Sequence, residues 1–201
     1  KPGQYVQFKV PETDEFRAYS VASAPSQDNG IDLIVRLVSG GLCSTYIHEV
    51  LDLNDQITLT GPFGDFYLRE DSLRDIVCIG GGCGMAPIRS ILLHLKEQNM
   101  PRRVMYFFGA RSKKDLFFSE ELFALERQYP NFKYIPALSE PKPQDNWDGE
   151  TGLITQAVER IMYGDGNTEG YLCGPPPMID ASIKVLTQKG VKEIHIYYDK
   201  F

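Results

Sequence analysis

The chain has 201 residues, 42% hydrophobic and 24% charged, the balance of a globular protein and not of a disordered, collagen-like or coiled-coil chain. Its 21 basic and 27 acidic residues leave a formal net charge of −6, and no basic tract is longer than Arg102-Arg103 or Lys113-Lys114, which argues against nucleic acid as a partner. No apolar run reaches the roughly 18 residues that a membrane-crossing helix needs.

Up to about residue 70 the signals are those of β structure. Val6, Phe8 and Val10 alternate with Gln7 and Lys9, as in a half-buried strand. Residues 17–22, 32–37 and 56–60 read as further strands, separated by Pro11, Asp28-Asn29-Gly30, Gly40-Gly41 and Gly61-Pro62. Ser44 is placed to cap a short helix reaching Val50. Together these predict a small antiparallel β-barrel over residues 1–70. From Asp75 the pattern changes. Apolar strands over 76–79, 104–108, 132–138, 171–173 and 194–198 alternate with helices over about 87–98, 119–128, 153–162 and 176–188. Repeated β-α-β units predict an open, five-stranded parallel sheet with helices on both faces over residues 71–201. The charged stretch 69–74 separates the two regimes.

Four cysteines, Cys43, Cys78, Cys83 and Cys173, have neither disulfide-framework nor zinc spacing and lack the plant-type iron–sulfur run. Free thiols fit a reducing, cytoplasmic compartment. Three histidines do not cluster, so no metal site is expected, and Trp147 is expected to anchor its loop.

Two turns carry chemistry in the second half. Gly80-Gly81-Gly82-Cys83-Gly84-Met85-Ala86-Pro87 joins a strand to a helix, where glycines let backbone N–H groups approach a pyrophosphate and the helix N-terminus favours the anion. Its spacing lacks the last glycine of the full dinucleotide fingerprint, so a tight turn without a ligand is the open alternative. Cys173-Gly174-Pro175-Pro176-Pro177-Met178 ends a later strand. Gly174 leaves room for a flat ring, and Cys173 either abuts that ring or fills the core. In the first half, Arg17-Ala18-Tyr19-Ser20 puts an arginine and a tyrosine on one strand face. Gly41-Leu42-Cys43-Ser44 offers a second anion site or a plain helix cap.

In this order, and with Gly61-Pro62-Phe63-Gly64 between them, these segments resemble the ferredoxin–NADP reductase superfamily over essentially the whole chain. GPFGDF, GGGCGMAPIRS, GARSKKDLFF and DNW are similar to the F subunit of the sodium-translocating NADH:quinone oxidoreductase. NFKYIPALSEP, CGPPPMI and the terminal YYDKF are similar to the reductase component of phenol hydroxylase and methane monooxygenase. The resemblance implies an FAD-binding lobe and an NAD-binding lobe. It assigns Arg17 to the flavin pyrophosphate, Tyr19 to the isoalloxazine face and Ser20 to a hydrogen bond near flavin N5. Gly41, Leu42, Cys43 and Ser44 would take a second phosphate, which favours FAD over FMN. Gly81, Gly82, Cys83, Gly84, Met85 and Pro87 would cradle the nicotinamide dinucleotide, with Gly109, Ala110, Arg111, Ser139 and Glu140 toward its adenosine and Gly174, Pro175 and Met178 toward its nicotinamide. Ser20, Cys173 and Phe201 would border the reacting centre, unless Phe201 is a frayed terminus.

Glu140 stands where NADPH users of the superfamily carry an arginine, and a carboxylate repels a 2′-phosphate while accepting from a free 2′-hydroxyl, which implies NADH. Arg111, Lys113 and Lys114 are the cations that could oppose that preference. The implied activity is hydride transfer from NADH to FAD, then release of single electrons to a 2Fe-2S centre on another domain or chain, as in the quinone-oxidoreductase branch. The alternatives are a reductase component of an aromatic or methane monooxygenase, free-flavin or quinone reduction, and a non-catalytic domain of the same fold. The superfamily barrel begins several strands before Pro2-Gly3-Gln4-Tyr5. An N-terminally incomplete barrel is therefore expected, with an iron–sulfur domain or membrane segment upstream. The implied partner is a ferredoxin-like domain or protein, within a membrane or oxygenase complex.

Overall fold

The computed structural model describes residues 1–162 and 166–201. In the first lobe, β1 (Tyr5–Lys9) lies between β2 (Phe16–Ser20) and β3 (Leu59–Phe63) in an antiparallel sheet. The alternation read in β1 sends Val6 and Phe8 inward. Phe8, Val10 and Cys43 form a small core, against which Tyr19, Tyr46, Ile47 and Leu59 pack. Cys43, Tyr46 and Ile47 come from α1 (Leu42–Glu49), so the one helix of this lobe caps its core.

Three expectations for this lobe are corrected. The expected antiparallel, N-terminally incomplete barrel is a three-stranded sheet among the described residues, but residues 32–37 add to it only a single bridge, Leu33 to Val21, in place of a strand. That segment is held by local bonds instead of a ladder: the Ala22 N–H donates to the Asp32 carbonyl at 2.8 Å and the Asp32 N–H to Ser23 Oγ at 3.1 Å. β3 starts later than the predicted 56–60 strand. Helix α1 starts at Leu42 with Gly41 at its N-cap, not at Ser44. The Ser44 hydroxyl accepts from the Val38 N–H and donates to the Gly41 carbonyl, each at 3.1 Å.

The second lobe is a parallel sheet of six strands: β4 (Asp75–Gly81), β5 (Val104–Ala110), β6 (Phe132–Leu138), β7 (Glu150–Thr151), β8 (Thr168–Gly174) and β9 (Ile196–Lys200). The sixth strand, β7, is two residues long, too short for a periodicity to register. The last strand starts later than predicted because Glu193–His195 form a 3₁₀ turn, which places His195 there and not on a strand. Helices α2 (Met85–Glu97), α3 (Ser119–Gln128), α4 (Ile154–Ile161) and α5 (Pro176–Gln188) complete the lobe.

Both sheet faces are buried, and strand alternation divides the side chains between two cores. Ile76, Cys78, Val104, Tyr106, Phe108, Phe132, Tyr134 and Tyr171 meet α2 and α3. Val77, Ile79, Phe107, Ile135 and Leu172 meet α4 and α5. The strand order is β7-β6-β5-β4-β8-β9. The chain therefore winds outward from β4 in one direction and returns on its other side, making the gap between β4 and β8 the topological switch point.

Candidate cofactor cleft

In an open parallel sheet, a crevice forms beyond the carboxyl ends of the strands flanking the switch point. Here those ends are the glycine-rich turn after β4 and the Cys-Gly-Pro turn after β8. Gly80 pairs with Cys173 and Gly81 with Gly109. The two turns touch through their backbones. A Cβ on Gly84 would stand 2.0 Å from the Cys173 carbonyl oxygen, so only glycine permits the contact. Met178, in the first turn of α5, fills the space in front of Gly81 and Gly174: added Cβ atoms there would stand 2.8 and 2.6 Å from its thioether. Gly82 differs. It has a φ of +56°, is exposed, and has no atom within 4 Å of an added Cβ. Helix α2 follows with no side-chain cap and no acidic residue in its first turn, so its N–H groups face no competing anion of their own. Open backbone beside a helix start fits a pyrophosphate.

Two residues predicted for this cradle lie below it. Met85 is buried, its thioether accepting from the Tyr106 hydroxyl at 3.1 Å, and Pro87 is buried as the third residue of α2, where its missing N–H costs no helical bond. Gly109 packs on Ile154 of α4. Further along the same edge, the Ser139 N–H donates to the Ala110 carbonyl and the Glu140 N–H to the Arg111 carbonyl, at 3.0 and 2.8 Å. Glu140, Arg111 and Ser139 are exposed there. Lys113 is committed elsewhere, its Nζ donating to the Asp145 carbonyl at 3.0 Å. Trp147 anchors its loop as expected, through its Nε1–H to the Glu150 carbonyl at 2.8 Å.

The first lobe faces this edge. Tyr19 sets its ring edge-on to Phe8 and its hydroxyl against the Cys43 thiol, and burial pushes that hydroxyl well above the ordinary phenol range. Cys83 lies within electrostatic reach of both Tyr19 and Cys173. Burial raises its thiol, opposed by a hydrogen bond from the Arg36 backbone in the first lobe. Burial also raises Cys173, and the nearby Asp199 carboxyl adds to the effect. Arg17 projects into solvent, bound to Glu15 and the Phe16 carbonyl, while Leu42 is exposed beside Gly41 at the start of α1.

Ser20 lies on the opposite strand face from Tyr19 and is the cross-strand partner of Tyr5. Asp199 is the partner of Cys173 across β8–β9. Tyr5 and Asp199 both line a cavity of about 280 Å³ between the lobes, together with Asp65 and Arg69. Of these two pairs, Tyr5 and Asp199 line the space, and Ser20 and Cys173 stand one strand away from it. Asp199 was not singled out from sequence, and burial raises its carboxyl above the usual range. The only sequence signal for it was its place in an alternating terminal strand. Phe201 is 60% exposed, its N–H donating to the Gly174 carbonyl at 3.4 Å.

Comparison with known proteins agrees with this geometry. Residues 1–67 match the oxidoreductase FAD-binding domain, and residues 78–184 match the oxidoreductase NAD-binding domain. The chain is 39% identical to the phenol hydroxylase P5 protein of Acinetobacter pittii, over 99% of this chain and 57% of that protein. It is 37% identical to the reductase component of propane 2-monooxygenase of Mycolicibacterium smegmatis, over 100% of this chain and 59% of that one. The chain thus spans somewhat under three fifths of the length of these relatives. The crystal structure of a cytochrome P450 reductase from Amycolatopsis superposes with a TM-score of 0.89 at 32% identity, covering 100% of this chain and 61% of that one.

Proposed function

The chain belongs to the ferredoxin reductase family of FAD- and NAD-binding oxidoreductases, and from that membership we propose that it takes hydride from NADH and serves as the reductase of a multicomponent oxygenase. When bound, FAD accepts the hydride and releases its two electrons singly, and the protein contributes binding, orientation and electrostatics. The acceptor is a 2Fe-2S centre on a ferredoxin-like domain or protein. Relatives named as oxygenase reductases support this branch over the quinone-oxidoreductase one. The four free thiols fit a cytoplasmic setting, and among the described residues no helix is long and apolar enough to cross a membrane.

In this reading the flavin lobe ends, and the nucleotide lobe begins, within residues 69–74. Arg17 exchanges Glu15 for the flavin pyrophosphate, a charge-assisted contact suited to a guanidinium. Tyr19 offers its ring, and Gly41 to Ser44 offer backbone N–H groups at the start of α1. Gly82, Cys83 and Gly84 bind the nicotinamide dinucleotide through open backbone, and Glu140 accepts from the 2′-hydroxyl. Ser20 and Cys173 border the reacting centre, Cys173 as an uncharged, closely packed group, since burial keeps its thiol protonated.

The meeting of the glycine-rich turn after β4 with the Cys-Gly-Pro turn after β8, where Gly84 backs onto the Cys173 carbonyl and Gly82 leaves its backbone open, carries this proposal. Anaerobic rapid mixing of the FAD-loaded protein tests it. NADH is expected to bleach the flavin faster than NADPH, and Glu140→Arg to move that preference toward NADPH by about tenfold or more, roughly 1.4 kcal/mol. A protein that stays colourless after FAD is added, or stays yellow with NADH, is not this enzyme.

A further inference from the structure

The helix that starts at the glycine-rich turn also grips the other lobe. Arg89, on α2, is 14% exposed and spans three elements. Its Nη1 donates to the Ala22 carbonyl at 3.0 Å and to Asp32 Oδ2 at 3.4 Å, while Nε and Nη2 donate to Glu121 Oε2 of α3 at 3.4 and 3.1 Å. The guanidinium sits 4.7 Å from the centroid of the Phe118 ring. The next residue, Ser90, is fully buried, and its hydroxyl donates to the Ser23 carbonyl at 2.7 Å. Ser23 in turn fixes Asp32 through its own hydroxyl.

Ala22 and Ser23 follow β2, the strand that carries Arg17, Tyr19 and Ser20, with only Val21 between. Arg89 and Ser90 lie one and a half turns into the helix that opens at Gly84 and Met85. The path from one candidate cofactor site to the other is therefore two strand-end carbonyls, two side chains and a short stretch of rigid helix. Both carbonyls are held by donors from across the lobe boundary, which leaves the lobes little freedom to slide along α2.

We propose that Arg89 and Ser90 are positioning residues that set the flavin strand against the nucleotide turn, so that hydride transfer occurs in a fixed inter-lobe register. This rests on the proposed NADH–FAD reaction. Neither side chain needs to touch a cofactor. Transfer rates are sensitive to such placement: a shift of about 1 Å costs on the order of 100-fold.

The test compares the whole FAD-loaded chain with Ser90→Ala, Arg89→Lys, Arg89→Met and Arg89→Met/Ser90→Ala. In the double variant FAD content is expected to stay stoichiometric and the NADH dissociation constant within about threefold. Flavin reduction at saturating NADH is expected to slow by about tenfold or more, with Arg89→Lys, which still reaches one acceptor, between parent and Arg89→Met. Calorimetry of the FAD-free chain supplies a reading independent of turnover, in which one cooperative transition in the parent separates into two in the double variant. Equal weakening of NADH binding and rate would put Arg89 in the nucleotide site and overturn the proposal, as would an unchanged rate. If the double variant does not fold, Ser90→Ala alone carries the same comparison. If the parent flavin is not reduced by NADH, the proposed function fails, and a single unchanged transition in the variants still overturns the inter-lobe clamp.

Discussion

Gly84 shows how much a single position can decide. Its backbone passes so close to the end of β8 that the turn bearing Gly82 and the turn bearing Gly174 form one wall of the crevice. Gly84→Ala must separate them, because both contacting groups are main chain. The expected outcome is a loss of about 2–3 kcal/mol, read by denaturant unfolding, together with at least tenfold weaker NADH binding. Gly82→Ala, at an open position, is expected to strain only its own positive φ and to cost about 1 kcal/mol. The thiols make a second case. Cys83 is half-buried, Cys78 and Cys173 are buried, and burial raises all three. Because burial disfavours the charged thiolate, alkylation of Cys83 in the folded protein should keep accelerating above pH 9, the ordinary thiol value. Cys78 and Cys173 should label only on unfolding, as mass spectrometry of the alkylated peptides would register. Sequence alone left open whether Cys173 was core filler or site residue. The structure shows why the two readings are hard to separate: one side chain is counted in the core and also faces Asp199 and Cys83 at the edge of the crevice.

At the amino ends of the strands, on the edge opposite the crevice, β8 carries a buried ionic group. Glu169 and Arg102, 1% and 8% exposed, pair at 2.8 Å. The Tyr171 hydroxyl donates to the same carboxylate at 2.8 Å and accepts from the Arg69 N–H at 2.9 Å. Arg102 also donates to the Arg74 carbonyl at 3.3 Å. Arg102→Met leaves the carboxylate uncompensated and is expected to cost about 3–5 kcal/mol, whereas Arg102→Met/Glu169→Leu should recover most of that, with urea unfolding at constant m-value as the measure. This network was invisible in the sequence, because nothing in the alternation of β8 marks one glutamate as inward. Regular elements were more legible. Residues 119–128 and 176–188 are helices over the predicted spans, since a Ser or Pro opens each and apolar residues recur at helical spacing. Residues 32–37 misled for the converse reason. Ile34 packs against the neighbouring core and Leu37 stays exposed, so the apolar run reports packing of a segment that pairs only through the single Leu33–Val21 bridge.

At the level of the whole molecule, the two lobes share side chains. Phe66 and Leu68, sequence neighbours of the flavin-lobe motif Gly61-Pro62-Phe63-Gly64, are buried in the core of the nucleotide lobe with Ile76, Ile91 and Leu92. Phe66 packs edge-on to Tyr171 at 6.0 Å between centroids, and the Arg69 guanidinium lies between the Tyr67 and Tyr197 rings, 3.7 and 4.4 Å from their centroids. The Leu68 N–H reaches back to the Pro2 carbonyl at 3.1 Å, tying this connector to the start of the chain as well. Charge composition points to a break at residues 69–74, but the core of the second lobe begins earlier, at Phe66. A fragment of residues 71–201 therefore lacks two core side chains that a fragment of residues 64–201 keeps. Each is worth about 1.5–3 kcal/mol of burial, so the shorter fragment should be less stable by about 3–6 kcal/mol in parallel denaturant titrations. Equal stability of the two would mean that Phe66 and Leu68 serve the flavin lobe alone. The connector would then be a free linker, and the relative placement of the lobes would fall to α2 and its contacts with Ala22 and Ser23.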